Sequence, residues 1–336
     1  MSEHTHRPVP VLEAVAGIVP PRVVSNEDLP AHWDTNDVWV RRRTGIGTRH
    51  WVDEGTSTGD LALAAAQAVL AKSPAGDVDA VVVATSTPDH PMPGMAPVLA
   101  TRLGLGGVAA FDVSAVCTGF VYGLATASGM IAGGIARRVL LVAADVYSTL
   151  ISPDDRGAGV VFGDGAGAVI LRAGESGEPG EVLGFDLGSD GAGHDLITVP
   201  GGGARGRAEP GRYGSEDCHF RMSGREVFQH AVTRMTESSL AALKNVGWTT
   251  SEIDRVVAHQ ANARILSLVG QRLSISDEKV LGNISRVGNT GAASIPLALA
   301  DAVARDEIHA GEKVLLTAFG GGFTWGSATL VWPEVV

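Results

Sequence analysis

Cys117 stands in Asp112-Val113-Ser114-Ala115-Val116-Cys117-Thr118-Gly119-Phe120, where an apolar strand-like segment gives way to a helix-like one. Free N–H groups and the helix dipole stabilise a thiolate at a helix N-terminus, so the position predicts a lowered thiol pKa and a nucleophile. The plainer reading is a small buried hydrophobe. Cys218, in Glu216-Asp217-Cys218-His219-Phe220, has acidic neighbours that disfavour a thiolate. His259 ends the apolar run Val256-Val257-Ala258 and opens His259-Gln260-Ala261-Asn262. Catalytic groups of α/β folds gather at such strand ends, although a structural histidine also fits. Asn289, in Gly288-Asn289-Thr290-Gly291-Ala292-Ala293-Ser294, is either a reacting-group donor or a cap for the next helix.

The glycine-rich stretches divide by spacing. Gly163-Asp164-Gly165-Ala166-Gly167 has neither the dinucleotide-binding pattern nor the trailing Lys-Ser/Thr of a phosphate loop. Gly320-Gly321-Gly322, after Ala318-Phe319, predicts a tight turn at a strand end, where a backbone N–H can face a ligand oxygen. Gly201 to Arg212 is of low complexity and reads as a surface loop, or as an entrance loop using Arg205, Arg207 and Arg212 on phosphates.

The elements that must carry these residues are strands alternating with helices. Ala80 to Ala84 and Val139 to Ala143 are continuous apolar runs of the kind covered on both faces, and Leu61 to Ala71 and Gly119 to Ile131 are helix-like, so the class is α/β. A long-period repeat is present. Val81 and Val139 lie 58 residues apart, as do Val256 and Val314, in similar local sequence. At this offset of 175 residues Cys117 falls opposite Ala292. Two similar units are expected, residues 1–174 with the cysteine and residues 175–336 with the histidine and asparagine.

The chain has 336 residues, 45% of them hydrophobic and 19% charged, which excludes a disordered polypeptide. A net charge of −11 argues against nonspecific nucleic-acid binding. No apolar run is long enough for a membrane helix and no secretory signal is visible, so a cytoplasmic location is expected. Two cysteines provide no disulfide framework and no zinc pair, and no metal is expected.

Taken together, Ala-Val-Cys117-Thr-Gly-Phe, His259-Gln-Ala-Asn, Gly-Asn289-Thr-Gly-Ala-Ala-Ser-Ile-Pro and Phe319-Gly-Gly-Gly-Phe-Thr-Trp-Gly-Ser occur in one order, and Trp39 to Ile46 and Asp155-Arg156 accompany them. Through these the chain resembles β-ketoacyl-acyl carrier protein synthase III, of the thiolase superfamily. The resemblance implies a five-layered αβαβα fold of two similar halves and a homodimer. It implies that Cys117 takes an acyl group from acyl-CoA, which enters as a substrate with no cofactor, and that malonyl-acyl carrier protein then condenses with it. His259 and Asn289 would donate to the thioester carbonyl that becomes an enolate, and the N–H groups of Cys117 and Gly321 would form an oxyanion hole. CoA would meet Thr35, Trp39, Arg43 and Arg156, with the adenine between Trp39 and Arg156, and the carrier protein would meet Arg264.

Two positions depart from a familiar bacterial relative. Gln229 replaces a lysine facing the carrier protein, and Met92 replaces a phenylalanine that crosses the dimer interface to close the acyl pocket. With Phe162 and Phe220 as further walls, flexible Met92 predicts a starter longer or more branched than acetyl. The alternative chemistry on this fold is acyl transfer from Cys117 to a hydroxyl, amine or carrier without condensation. A papain-like protease shares the Cys, His, Asn order but not the sequence around its cysteine, and a noncatalytic partner subunit would lack Cys117.

Overall fold

The structure, a computed structural model, describes residues 7–73 and 76–335. Strands β1 (Val9–Ile18), β2 (Ala80–Ala84), β3 (Ala109–Val113), β4 (Arg138–Val146) and β5 (Asp164–Gly174) form one sheet in the order β1-β5-β4-β2-β3. Strands β6 (Val182–Ser189), β7 (Arg255–Ala258), β8 (Val280–Leu281), β9 (Lys313–Gly320) and β10 (Thr324–Val331) form a second in the order β6-β10-β9-β7-β8. The second order is the first shifted by five strands. Directions agree too: β2 runs parallel to β3 and β4, as β7 does to β8 and β9. In register, Val81 pairs with Leu140 and Val256 with Leu315, the same offset of 175 that relates the sequences.

The longer helices are α1 (Asp37–Thr44), α2 (Thr58–Lys72), α3 (Met95–Arg102), α4 (Gly119–Ala132), α5 (Gly224–Asn245), α6 (Ala263–Leu273) and α7 (Ser294–Ala304). Successive residues of a strand point to opposite faces, and β4 shows why its apolar run is unbroken. Val139, Leu141 and Ala143 enter a core with Phe120 and Leu124 of α4, Ile295 and Leu299 of α7, and Leu316 of β9. Leu140, Val142 and Ala144 pack instead on Leu61, Ala65 and Val69 of α2 and Leu99 of α3. On the outer face of the second sheet, Val256 and Leu315 meet Val232 and Met235 of α5 and Ile265 and Val269 of α6. The layers are therefore α2/α3, sheet, α4/α7, sheet, α5/α6.

Glycine permits the closest approach inside this sandwich. A Cβ on Gly167 of β5 would lie 2.7 Å from Cβ and Cγ of Pro296 and 3.1 Å from the Leu297 nitrogen, so α7 rests on the strand backbone. The Gly201 to Arg212 segment contains a short helix, Ala204–Ala208, with Arg205 and Arg212 both paired to Glu209 and Arg207 bonded to the Gly202 carbonyl. Those arginines are engaged within their own loop, which does not support the phosphate reading. No helix among the described residues is long and apolar enough to cross a membrane.

Replacing Gly167 by Val forces a branched side chain into the contact with Pro296. Overpacking of this kind should lower stability by about 1–3 kcal/mol. A fall in the urea midpoint at unchanged slope measures it, and an unchanged midpoint contradicts it.

Candidate active site

The turn Val116–Thr118 connects the end of β3 to α4. Val116 has φ 48°, a left-handed conformation costly for a β-branched residue, which marks a turn held by its surroundings. The holding contacts come from Thr118, whose hydroxyl bonds to the Ala115 carbonyl at 2.5 Å and meets the Thr324 hydroxyl of β10 at 2.7 Å. Cys117 is thereby fixed at the head of α4, only 8% exposed. Gly320 closes on it: a Cβ there would lie 2.9 Å from the Cys117 nitrogen. Gly321, the next residue, packs beside Ile197.

His259 follows β7 directly, and its amide donates to the Thr317 carbonyl of β9 at 2.8 Å. Its Nδ1 meets the Ser294 hydroxyl at 2.6 Å, and the Gln260 amide donates to the same oxygen at 3.4 Å. With the Ser294 oxygen accepting from Gln260, its O–H is free to donate to Nδ1, which leaves the proton on Nε2. Asn289 is clamped by its backbone, the amide donating to the Val161 carbonyl and the carbonyl accepting from the Gly163 amide, both at 2.9 Å. Its Oδ1 accepts from the Gly291 amide at 3.0 Å, so the side-chain N–H₂ is the end left to face a ligand. The cap-like bond and the donor role coexist.

Cys117, His259 and Asn289 line one cavity of about 40 Å³ with Tyr147, Phe162, Phe220, Phe319 and Gly320. That is room for roughly three water-sized groups. Its walls are mostly apolar, and its titratable groups respond. Burial lowers the His259 pKa to about 3, so the imidazole is neutral at physiological pH. Burial, with the nearby Asp145 carboxylate, pushes the Cys117 thiol up to about 12. This reverses the lowering expected from the helix terminus, because desolvation of a sulfur in a closed cavity outweighs the partial charge of the dipole.

A cleft of about 560 Å³ leads from the surface to this cavity and shares Asn289, Met222, Val227, Ala261 and Ile265 with it. Trp39, Arg43, Arg225, Gln229 and Arg264 line the cleft, with no acid among the described lining residues. Arg43 and Arg156 both lie against the Trp39 ring, at 4.7 and 5.1 Å from its centroid. The Trp39–Arg156 pair is thus closed, and a purine between them requires the guanidinium to swing outward. Thr35 is half-buried beside α1 but does not line the cleft, and its hydroxyl has no partner among the described residues.

Phe162 and Phe220 line the cavity. Met92 is not a wall within one chain; it is 82% exposed. The expected place of Met92 is across a dimer interface, where its exposure in one chain leaves it available. Tyr147, which fills the space, was missed, as were Ser294 and the buried Asp145. Tyr147 and Asp145 lie at the end of an apolar strand run and Ser294 in a run of small residues, and only long-range packing turns them toward the site.

The His259 shift has a testable consequence. Its folded pKa lies below the unfolded value of 6.5, so the unfolded chain takes up a proton that the folded chain refuses. The stability this contributes is present above about pH 6.5 and lost as pH falls toward 3. Between about pH 7 and 4 the unaltered protein should lose on the order of 3 kcal/mol more than His259→Asn. Urea denaturation at each pH measures this, and parallel losses refute it.

Comparison with known proteins agrees with this architecture. The family model of 3-oxoacyl-[acyl-carrier-protein] synthase III matches residues 111–191, and that of its C-terminal part matches residues 243–332. The chain is 53% identical over 325 residues to beta-ketoacyl-[acyl-carrier-protein] synthase III 5 of Streptomyces coelicolor, covering 97% of this chain and 98% of that one. It is 48% identical to the corresponding synthase III of Pseudomonas aeruginosa over 97% of each chain. Among solved structures, 3-oxoacyl-(acyl carrier protein) synthase III from P. aeruginosa PAO1 matches with TM-score 0.91 and 46% identity, over 98% of this chain and 99% of that one. The priming β-ketosynthase of the R1128 polyketide pathway matches with TM-score 0.90 and 28% identity over 98% of each chain. With its fold duplication and its Cys117, His259 and Asn289 around one cavity, the chain belongs to the β-ketoacyl-acyl carrier protein synthase III family.

Proposed function

We propose that the protein condenses an acyl-CoA starter with malonyl-acyl carrier protein, releasing CO₂ and forming β-ketoacyl-acyl carrier protein, the initiating step of a fatty-acid or polyketide chain. The observation that carries the reading is the convergence of Cys117, neutral His259 and Asn289 on a small, mostly apolar cavity at the foot of a cationic cleft. In the first half-reaction the Cys117 sulfur–acyl bond forms, the CoA sulfur–acyl bond breaks, and the thiol proton leaves on CoA. In the second, malonyl thioester loses CO₂ to give an enolate. The enolate carbon attacks the acyl thioester, and Cys117 regains a proton.

Two neutral donors suit the enolate. His259 Nε2–H and the free Asn289 N–H₂ stabilise the oxygen as charge develops, and neither has a charge that would hold the malonyl carboxylate back. The amides of Cys117 and Gly321 serve the tetrahedral intermediates. CoA lies along the cleft by Trp39 and Arg43, with Arg156 against the Trp39 ring, and the carrier protein meets Arg264 at its mouth.

A cytoplasmic homodimer is the form in which we place this activity. Strand β3 is an unpaired sheet edge with Phe111 37% exposed, near the exposed Met92, which supports pairing through that edge. The unused donor of Asn289 favours condensation over simple acyl transfer, which has no enolate to stabilise.

Intact mass spectrometry of enzyme and carrier, after incubation with acetyl-, butyryl-, isobutyryl- or hexanoyl-CoA and malonyl-carrier protein, separates the readings. A β-ketoacyl mass on the carrier is expected. Acyl mass kept on Cys117 beside unchanged malonyl-carrier points to acyl transfer. Asn289→Ala should leave Cys117 acylation within severalfold of the unaltered rate while decarboxylation falls roughly 10²- to 10³-fold. Loss of acylation in that variant contradicts the role given to Asn289.

A further inference from the structure

The segment that delivers Asn289, residues 283–294, is fastened at both ends to the His259-Gln260 dipeptide. At its exit, the Ser294 hydroxyl meets His259 Nδ1 at 2.6 Å and accepts from the Gln260 amide at 3.4 Å. At its entry, Gln260 Oε1 accepts from the Asn283 amide at 3.1 Å and from the Ile284 amide at 3.2 Å. The other end of the same carboxamide, Nε2, donates to the Ala258 carbonyl at the end of β7 at 2.7 Å. Gln260 is fully buried and does not line the reaction cavity.

The backbone alone does not hold these two stretches together. Strands β7 and β8 pair only through Val256 with Val280 and Val257 with Leu281. Beyond Leu281 the chains part, β7 running on into His259 while the other turns into the short helix Ile284–Val287. A carboxamide carries the same donor and acceptor as a peptide group, so the Gln260 side chain continues the ladder where the strands end. Gly282 leaves room for it: a Cβ there would lie 2.5 Å from Gln260 Oε1. Other ties of the segment run to the first half, from the Gly47 amide and the Thr48 hydroxyl to the Ser285 and Arg286 carbonyls. The Asn289 backbone is likewise clamped to Val161 and Gly163. Gln260 is therefore what refers the approach to Asn289 back to the strand end that carries His259.

We propose that Gln260 is a positioning residue for malonyl decarboxylation: by bridging the end of β7 to the Asn283 and Ile284 amides, it sets the separation of the two enolate donors, His259 and Asn289. The proposal rests on the reading in which those two side chains act together on the malonyl thioester. Donors stabilise developing charge only when already aimed, and a misplacement of about 1 Å can cost up to about 10²-fold. Acylation of Cys117 uses the amides of Cys117 and Gly321 in that reading and makes no such demand on the pair.

Two variants of the full-length chain test this. Gln260→Met keeps the length of the side chain while removing its acceptor and its donor. Gly282→Ala displaces the carboxamide and leaves Gln260 chemically intact, and it carries the test if Gln260→Met does not fold. In each, acetyl-CoA should load Cys117 within severalfold of the unaltered rate, followed by intact mass. The kcat for decarboxylation of malonyl-carrier protein should fall about 10- to 10²-fold with KM little changed. A merely structural role predicts that both half-reactions weaken together. That result, or an unchanged decarboxylation rate, overturns the proposal. If the unaltered protein does not decarboxylate malonyl-carrier protein at all, the assigned reaction fails, and crystal structures of parent and variant then decide the positioning. An Asn289 side chain moved by about 1 Å relative to His259 sustains it, and an unmoved one overturns it.

Discussion

Asp145 is a carboxylate with no solvent exposure at the seam between the two halves. One oxygen accepts the Ser86 amide of the first half at 2.7 Å, and the other accepts the Ala292 amide of the second half at 2.7 Å. Cys117 and Asn289 come from different halves, and their separation is set by how the Gly291–Ala293 turn docks on the head of α4. There the packing is backbone-close: a Cβ on Gly119 would lie 3.1 Å from both Ala292 Cβ and Ala84 Cβ. Burial raises the Asp145 pKa to about 7 even with those donors in place, so the tie is made at the cost of desolvation. Gly291 adopts φ 57° beside this carboxylate, a conformation a side chain would strain, with Asp145 Oδ2 only 2.2 Å from where its Cβ would sit.

The same burial decides the protonation states. A neutral imidazole and a protonated thiol are what a low-dielectric cavity favours, since either charged form would have to give up water. The site therefore holds His259 and Cys117 uncharged at rest, with hydrogen-bond donors already aimed into the cavity. Preorganised donors of this kind stabilise developing charge without reorganising when it appears. The bonds that aim them, from Ser294 to His259 and from Gly291 to Asn289, involve no ionised side chain.

Outside the cavity the balance inverts. The chain carries a net charge of −11, yet its cleft is lined by Arg43, Arg225 and Arg264. A local cationic mouth on an acidic protein attracts anionic ligands such as phosphate-bearing thioesters without making the whole surface sticky. Arg225 lies one helical turn from Gln229 on the same wall of α5, so the cationic character of that wall does not depend on a lysine at 229.

The sequence by itself determined the class and the duplication, and through its resemblance to one family it singled out Cys117, His259 and Asn289. Apolar runs covered on both faces, and a spacing repeated at an offset of 175, are carried by local composition and backbone period, which are one-dimensional properties. Each of those three residues sits where a buried element ends in polar or small residues, a setting that also fits a buried hydrophobe, a structural histidine or a helix cap, so the motifs in one order were needed to single them out. Only the tertiary structure decided how those residues behave. The position of Cys117 at a helix terminus predicted a lowered thiol pKa, but burial and Asp145, distant in sequence, push it up. Tyr147, Phe162 and Phe220, brought from separate segments, enclose the cavity of about 40 Å³. Desolvation and free volume are properties of everything packed around a group, and no spacing along the chain encodes them.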